Sequence, residues 1–163
     1  MRNRKVFLRI FALASLLFPA VGIDLNAQQS TWRIAALYWS MNIPGQVAMR
    51  SGLEPEAAAF NASQRQKVQI IPYVAGDGEK GIENQIRQMR QAIASKVSAI
   101  IVQPTDNAAL AAPLREANAA GIPVIAYDQY ISGGKLSAYR TSDNYMAGRL
   151  DGEYLASRFP AGR

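Results

Sequence analysis

Cysteine and histidine are both missing from this 163-residue chain. Without cysteine there is no disulfide and no thiolate nucleophile, nor any thiol for lipid attachment at an N-terminus. Without histidine there is no imidazole base, no imidazole metal ligand, and neither a Ser-His nor a Cys-His pair. A metal would need oxygen ligands alone, and no loop carries aspartates at the spacing such a site requires. Charge is sparse too, at 18% against 49% apolar residues, which is the balance of an ordinary globular protein.

The net charge of +6 is unevenly placed. Arg2, Arg4, Lys5 and Arg9 precede the apolar run Ile10–Phe18, and small residues follow it. A basic start, a short apolar run and small residues describe a secretory signal peptide. Cleavage is expected after Leu25-Asn-Ala27, leaving Gln28 as the mature N-terminus. The competing reading is an uncleaved anchor, but the run is shorter than the roughly 20 residues a spanning helix needs. Removing residues 1–27 takes away four basic and one acidic side chain and leaves about +3, without a cluster. Nucleic acid is therefore not an expected partner. A periplasm is the expected compartment.

Beyond the leader, short β-branched runs alternate with helical patterns. Arg33–Trp39 reads as a strand buried on both faces. Ser40–Ile43 is a polar turn, and Pro44 suits the first turn of a helix running to about Asn61, with Val47, Leu53, Ala57 and Phe60 apolar. Lys67–Tyr73 is the second strand. Lys80–Ser95 is an amphipathic helix with Ile82, Ile86, Met89 and Ile93 on one stripe. Ser98–Val102, a helix over Asn107–Ala120, and Val124–Tyr127 follow. Gly121 and Pro123 stop that helix. Leu136–Tyr139 is a short fifth strand, and Tyr145–Phe159 a last helix capped by Asp143 or Asn144. The alternation predicts an α/β fold, a parallel sheet with helices on both faces and right-handed crossovers.

The strand–helix–strand unit Ala99–Asp128 is the most telling piece. Both of its strands end in hydrogen-bonding residues, Gln103-Pro-Thr-Asp106 and Asp128-Gln129. Ligands of open parallel sheets bind outside the carboxyl ends of the strands. A cleft suited to a polar, uncharged ligand is expected there.

In order along the chain stand Ser40-Met-Asn-Ile-Pro44, Gln103-Pro-Thr-Asp106, Gly121-Ile-Pro-Val124 with Asp128, and Thr141-Ser-Asp-Asn144 leading into Gly148-Arg-Leu-Asp-Gly152. With this set the chain resembles the type I periplasmic sugar-binding proteins, which serve ATP-driven importers. The match covers nearly all of residues 33–160. Bacterial sugar repressors share the pattern but carry a DNA-binding segment where this chain has its leader. The resemblance implies two α/β lobes joined by hinge strands, with a ligand clamped between them. By it, residues 28–140 form the N-terminal lobe, and residues 141–163 form the hinge crossing and first helix of an incomplete second lobe. The chain is accordingly expected to be an N-terminal fragment.

Asp128 is the leading ligand-binding candidate, since a carboxylate accepts sugar hydroxyls in charge-assisted bonds and the family places an aspartate here. Its alternative is a loop or cap carboxylate. Gln129 follows where many relatives have arginine. Gln103 either reaches the ligand, as an asparagine does in relatives, or bonds loop backbone. Asp106 is expected to cap the next helix. Ser40 and Asn42 lie where the family contacts hydroxyls. The aromatic pair that relatives carry after this proline is replaced by Gly45 and Gln46. Trp39 either supplies a ring for the sugar's C–H face or packs in the core. Thr141 either touches ligand or sets the lobe angle. Gly148 and Gly152, four apart, are expected to let the last helix approach a neighbour closely.

No catalytic set is present and no cofactor is implied. The expected function is capture of a sugar or polyol and its delivery to the membrane permease of an ABC importer. A sensor subunit of the same fold, signalling to a membrane receptor or kinase, is the alternative. Half a cleft is expected to bind weakly, in the millimolar range or worse (about 4 kcal/mol or less).

Overall fold

The computed structural model describes residues 31–160. The leader and its cleavage site lie outside the described residues. Five parallel strands form one sheet: β1 (Thr31–Tyr38), β2 (Lys67–Val74), β3 (Ala99–Val102), β4 (Val124–Tyr127) and β5 (Ala138–Arg140), in the order β2-β1-β3-β4-β5. Between and after them run α1 (Pro44–Ser63), α2 (Gly78–Ala94), α3 (Ala111–Ala119) and α4 (Asn144–Arg158). The parallel α/β architecture is the expected one.

Side chains alternate across a strand, so each strand feeds both faces of the sheet. Ala35, Leu37, Ile100, Val102, Val124 and Ala126 point to one face. They form the main core with Met89 and Ala92 of α2 and Leu114 and Ala117 of α3. The opposite face presents Tyr38, Ile101 and Tyr127. With Met49 and Leu53 of α1 these line a shallow depression of about 240 Å³. The two tyrosine hydroxyls are held neutral, their pKa values raised chiefly by burial. An arginine, Arg50, stacks its guanidinium 5.2 Å from the Tyr38 ring centre.

Several boundaries differ from the expected ones, each for a local reason. β1 begins two residues earlier and stops at Tyr38, leaving Trp39 in the following bend. Its first three residues are exposed, so only Ala35–Tyr38 are buried on both faces. On α1 only Gln46 is fully buried, and Val47 is exposed. On α2 the buried row is Gly81, Gln85, Met89 and Ala92, and Ile82, Ile86 and Ile93 flank it half-buried. α3 is shorter than the Asn107–Ala120 pattern. Asp106 Oδ1 accepts from the Ala108 and Ala109 N–H groups, at 2.8 and 2.6 Å, which closes a separate turn first. The fifth strand lies slightly later, at Ala138–Arg140.

Asp143 is the cap of α4, accepting from Met146 N at 2.8 Å. Every residue of α4 is exposed, including Tyr145, Leu150, Tyr154 and Leu155. A β-carbon at Gly148 or Gly152 would meet nothing within 4 Å, so the close helix approach expected there is not made among the described residues. Gly81 is the helical glycine that is spatially constrained. A β-carbon on it would collide with the Gly76 carbonyl, whose residue is in turn tied to Trp39 by a 2.8 Å bond from Gly76 N to Trp39 O. Gly81→Ala must push this loop off the helix. It is expected to destabilise the chain by about 1–3 kcal/mol, read from urea unfolding midpoints.

Candidate functional site

Because all five strands run the same way, their carboxyl ends form one edge. Ser40 follows β1, Asp77 follows β2, Gln103 follows β3, Asp128 follows β4, and Thr141 follows β5. The polar ends that the sequence shows one by one are thereby collected along a single rim.

Asp128 is its most connected residue. It holds a left-handed backbone conformation, φ 65°, which aspartate tolerates better than most side chains. Its N–H donates to Arg140 O at 2.8 Å, extending the β4–β5 pairing by one step. Its carbonyl accepts from the Tyr139 and Thr141 hydroxyls, both at 3.0 Å. The Gln103 amide donates from Nε2 to Oδ2 at 2.9 Å. Oδ1 has no partner among the described residues, and Asp128 is exposed. The result is a carboxylate fixed in position with acceptor capacity open to solvent.

Gln103 is fully buried and its amide orientation follows from its partner. A carboxylate accepts, so the amide must turn its NH2 toward Asp128. That leaves Oε1 buried without a partner among the described residues. Gln103 therefore bonds the Asp128 side chain and not the loop backbone, and it stands behind the carboxylate rather than at the solvent surface. Thr141 acts on the same residue from the other side, its hydroxyl committed to the Asp128 carbonyl.

A second cluster sits on the β1–β2 side. Ser40 is fully buried; its N–H donates to Gln46 Oε1 at 2.8 Å, and its Oγ accepts from Asn42 N at 3.1 Å. The exposed Asn42 donates from Nδ2 to Asp77 Oδ2 at 2.8 Å. Hydrogen bonds from the Ser40 and then the Asn42 side chain hold the Asp77 carboxyl below its ordinary range, against a smaller opposing effect of burial. Trp39 is half-buried in the bend before Ser40, and Gln129 is half-buried after Asp128, its N–H bonded to Tyr127 O at 2.8 Å. These two flank the clusters without joining the hydrogen-bond network of either.

Three residues of this rim, and a fourth buried behind it, escaped the sequence reading. Asp77 lies in the Gly76–Gly78 loop and looks like a helix cap, yet its side chain makes no capping bond. Gln46 turns inward to Ser40 rather than filling the place of a stacking ring. Tyr139 reads as an ordinary strand residue. Gln85 is fully buried on α2, donating from Nε2 to Gln103 O at 2.8 Å and accepting at Oε1 from Thr105 N and Oγ1 at 2.7 and 3.0 Å. Its signal was available, because Gln85 lies four residues before Met89 on the row facing the core.

Chemically the rim offers fixed carboxylates backed by neutral amides and hydroxyls. Acceptors of this kind suit a ligand rich in hydroxyl donors.

Comparison with known proteins decides the family. The profile described as a periplasmic binding protein domain matches residues 34–162. This chain belongs to that family, in its type I sugar-binding group. It is 28% identical over 123 residues to the ribose import binding protein of Bacillus subtilis, covering 76% of this chain and 37% of that protein. To the galactofuranose-binding protein of Escherichia coli it is 34% identical over 113 residues, 68% of this chain and 35% of that one. Among solved structures, a fructose-binding periplasmic domain of a hybrid two-component system superposes with a TM-score of 0.67 at 27% identity, covering 79% of this chain and 40% of that one. The chain thus spans well under half the length of these relatives. Each of the three is named for binding a sugar.

The depressed Asp77 carboxyl has a pH consequence. A carboxylate whose folded pKa is lowered stabilises the fold above its ordinary pKa, and that contribution disappears as pH falls through the folded value. Wild type should therefore resist urea better than Asp77→Asn at neutral pH. The gap between their midpoints should close as pH falls below the ordinary carboxylate range.

Proposed function

We propose that this periplasmic binding protein captures a neutral sugar or polyol on the rim formed by its strand ends and delivers it to an ABC permease. The observation that carries the reading is Asp128, held by Gln103, Tyr139 and Thr141 with one carboxylate oxygen open. Ring or chain hydroxyls of the ligand donate to that oxygen. Asn42, Gln129 and Trp39 border the same rim and are the further contacts, while Ser40, fully buried, holds Asn42 from behind. Residues 28–140 are the N-terminal lobe, and Thr141–Asn144 is the crossing to a second lobe, so ligand binding is coupled to closure about this segment. The ribose and galactofuranose specificities of the relatives make pentoses and hexoses the first ligands to try.

Calorimetric titration with D-ribose, D-galactose, D-allose and myo-inositol tests the reading. At least one is expected to bind the 28–163 chain, in the millimolar range or weaker (about 4 kcal/mol). Asp128→Ala should weaken it at least tenfold, from loss of a charge-assisted hydrogen bond of about 1.5–3 kcal/mol. Equal binding by wild type and Asp128→Ala would place the ligand elsewhere.

A second reading is favoured by the two-component relative, namely presentation of the bound sugar to a membrane receptor or kinase. Neighbouring genes for a permease and ATPase indicate transport, and a gene for a histidine kinase indicates sensing. Export is tested separately. The intact mass of the protein isolated from a periplasmic extract should correspond to a chain beginning at Gln28, and retention of residues 1–27 would overturn the cleaved-leader reading.

A further inference from the structure

We infer that Gln85, a helix residue remote from the rim surface, is the positioning residue that sets Gln103 and, through it, the Asp128 carboxylate. This rests on the reading of Asp128 as a ligand group, and deepens it.

The turn after β3 cannot satisfy its own backbone. Gln103 N is used in the sheet, donating to Leu37 O at 2.9 Å. Pro104 has no N–H to offer and is buried, as is Gln103. The Gln103 carbonyl and the Thr105 N–H would be stranded away from water. Gln85 answers both with one amide: its NH2 donates to the Gln103 carbonyl, and its oxygen accepts from Thr105 N and from the Thr105 hydroxyl. Three bonds from a fully buried side chain fix the backbone on either side of Pro104. The Gln103 side chain leaves from that fixed backbone, and its amide meets the Asp128 carboxylate at 2.9 Å. The sequence α2 to β3 turn to β4 end is thus an unbroken series of hydrogen bonds. No apolar residue of the same volume can make both ends of the Gln85 contact.

Amide exchange and side-chain NMR on the full chain test this without a ligand. In Gln85→Met, exchange of the Thr105 amide should accelerate at least tenfold relative to that of Ile100 in the adjoining strand. The paired side-chain amide signals of Gln103 should move toward those of a free glutamine. Met89→Ala, one turn along the same buried row, is the control. It should alter the exchange of Thr105 and Ile100 together and leave the Gln103 side-chain signals in place. If Gln85→Met does not fold, Gln85→Glu serves instead. It keeps the acceptor for Thr105, so Thr105 stays protected, while loss of the amide donor still shifts the Gln103 signals. Unchanged Gln103 signals in the folded variant, or an equal shift in Met89→Ala, would overturn the assignment.

Affinity supplies the functional arm. Where the sugar panel finds a ligand, Gln85→Met should bind it at least tenfold more weakly and Met89→Ala within about twofold of wild type. Equal affinity of Gln85→Met and wild type would overturn the positioning role. A panel without any binder would count against the sugar reading alone, since the NMR comparison stands without it.

Discussion

Every strand of a parallel sheet ends by leaving backbone groups beyond the last ladder bond, and a buried group without a partner costs about 1–3 kcal/mol. In this chain the strand ends stand in a row, so the debt accumulates along one edge. Side-chain amides and hydroxyls meet it. Gln46 receives the Ser40 N–H, Gln85 bridges the turn at Pro104, and Tyr139 and Thr141 donate to the Asp128 carbonyl. The same groups that complete the backbone also hold the exposed acceptors. Site and fold therefore share one set of hydrogen bonds, and neither can be altered alone.

How much of this the sequence discloses depends on whether the deciding pattern is local. β4 is found at its true limits, because Gly121 and Pro123 close the preceding helix and a β-branched run begins at once. The Asp143 cap is legible for the same reason. The start of α3 is not, since Asp106 serves both as strand-end residue and as cap of an intervening turn. Asp128 and Gln103 could be singled out from strand-end position. Their mutual bond could not, because it joins residues 25 apart through a geometry that only sheet packing creates. For Gln85 the core-facing row on α2 discloses the burial but not the partners. Those partners are mainly backbone groups of the turn after β3, which no pattern of side chains reveals.

The two sides of the sheet are unequally furnished, which bears on the lobe reading. α2 and α3 cover one face and supply the main core, with Ile71 and Tyr73 of β2 only half-buried at its margin. On the other face α1 shelters Tyr38, Ile101 and Tyr127 only in part, and α4 buries none of its residues. Stability accordingly comes from the α2–α3 side, where Gln85 and Met89 share a row. The rim residues Gln103 and Asp128 are anchored to that side through Gln85. Thr141 reaches Asp128 from the segment leading to α4.

Rigidity of this kind has a thermodynamic reading. Fixing a side chain when a ligand arrives costs about 0.5–1.5 kcal/mol for each rotamer-rich group. Asp128 is bonded through its carboxylate, its carbonyl and its N–H in the absence of any ligand, so its freedom is lost on folding rather than on binding. Asn42 and Asp77 restrain one another in the same way. An order already imposed lets each contact act at nearly full strength. With Asp128 as the proposed ligand group, the same order would make the site selective by geometry. A carboxylate that cannot swing to meet a misplaced hydroxyl discriminates between epimers, whereas a loosely held one would accept both.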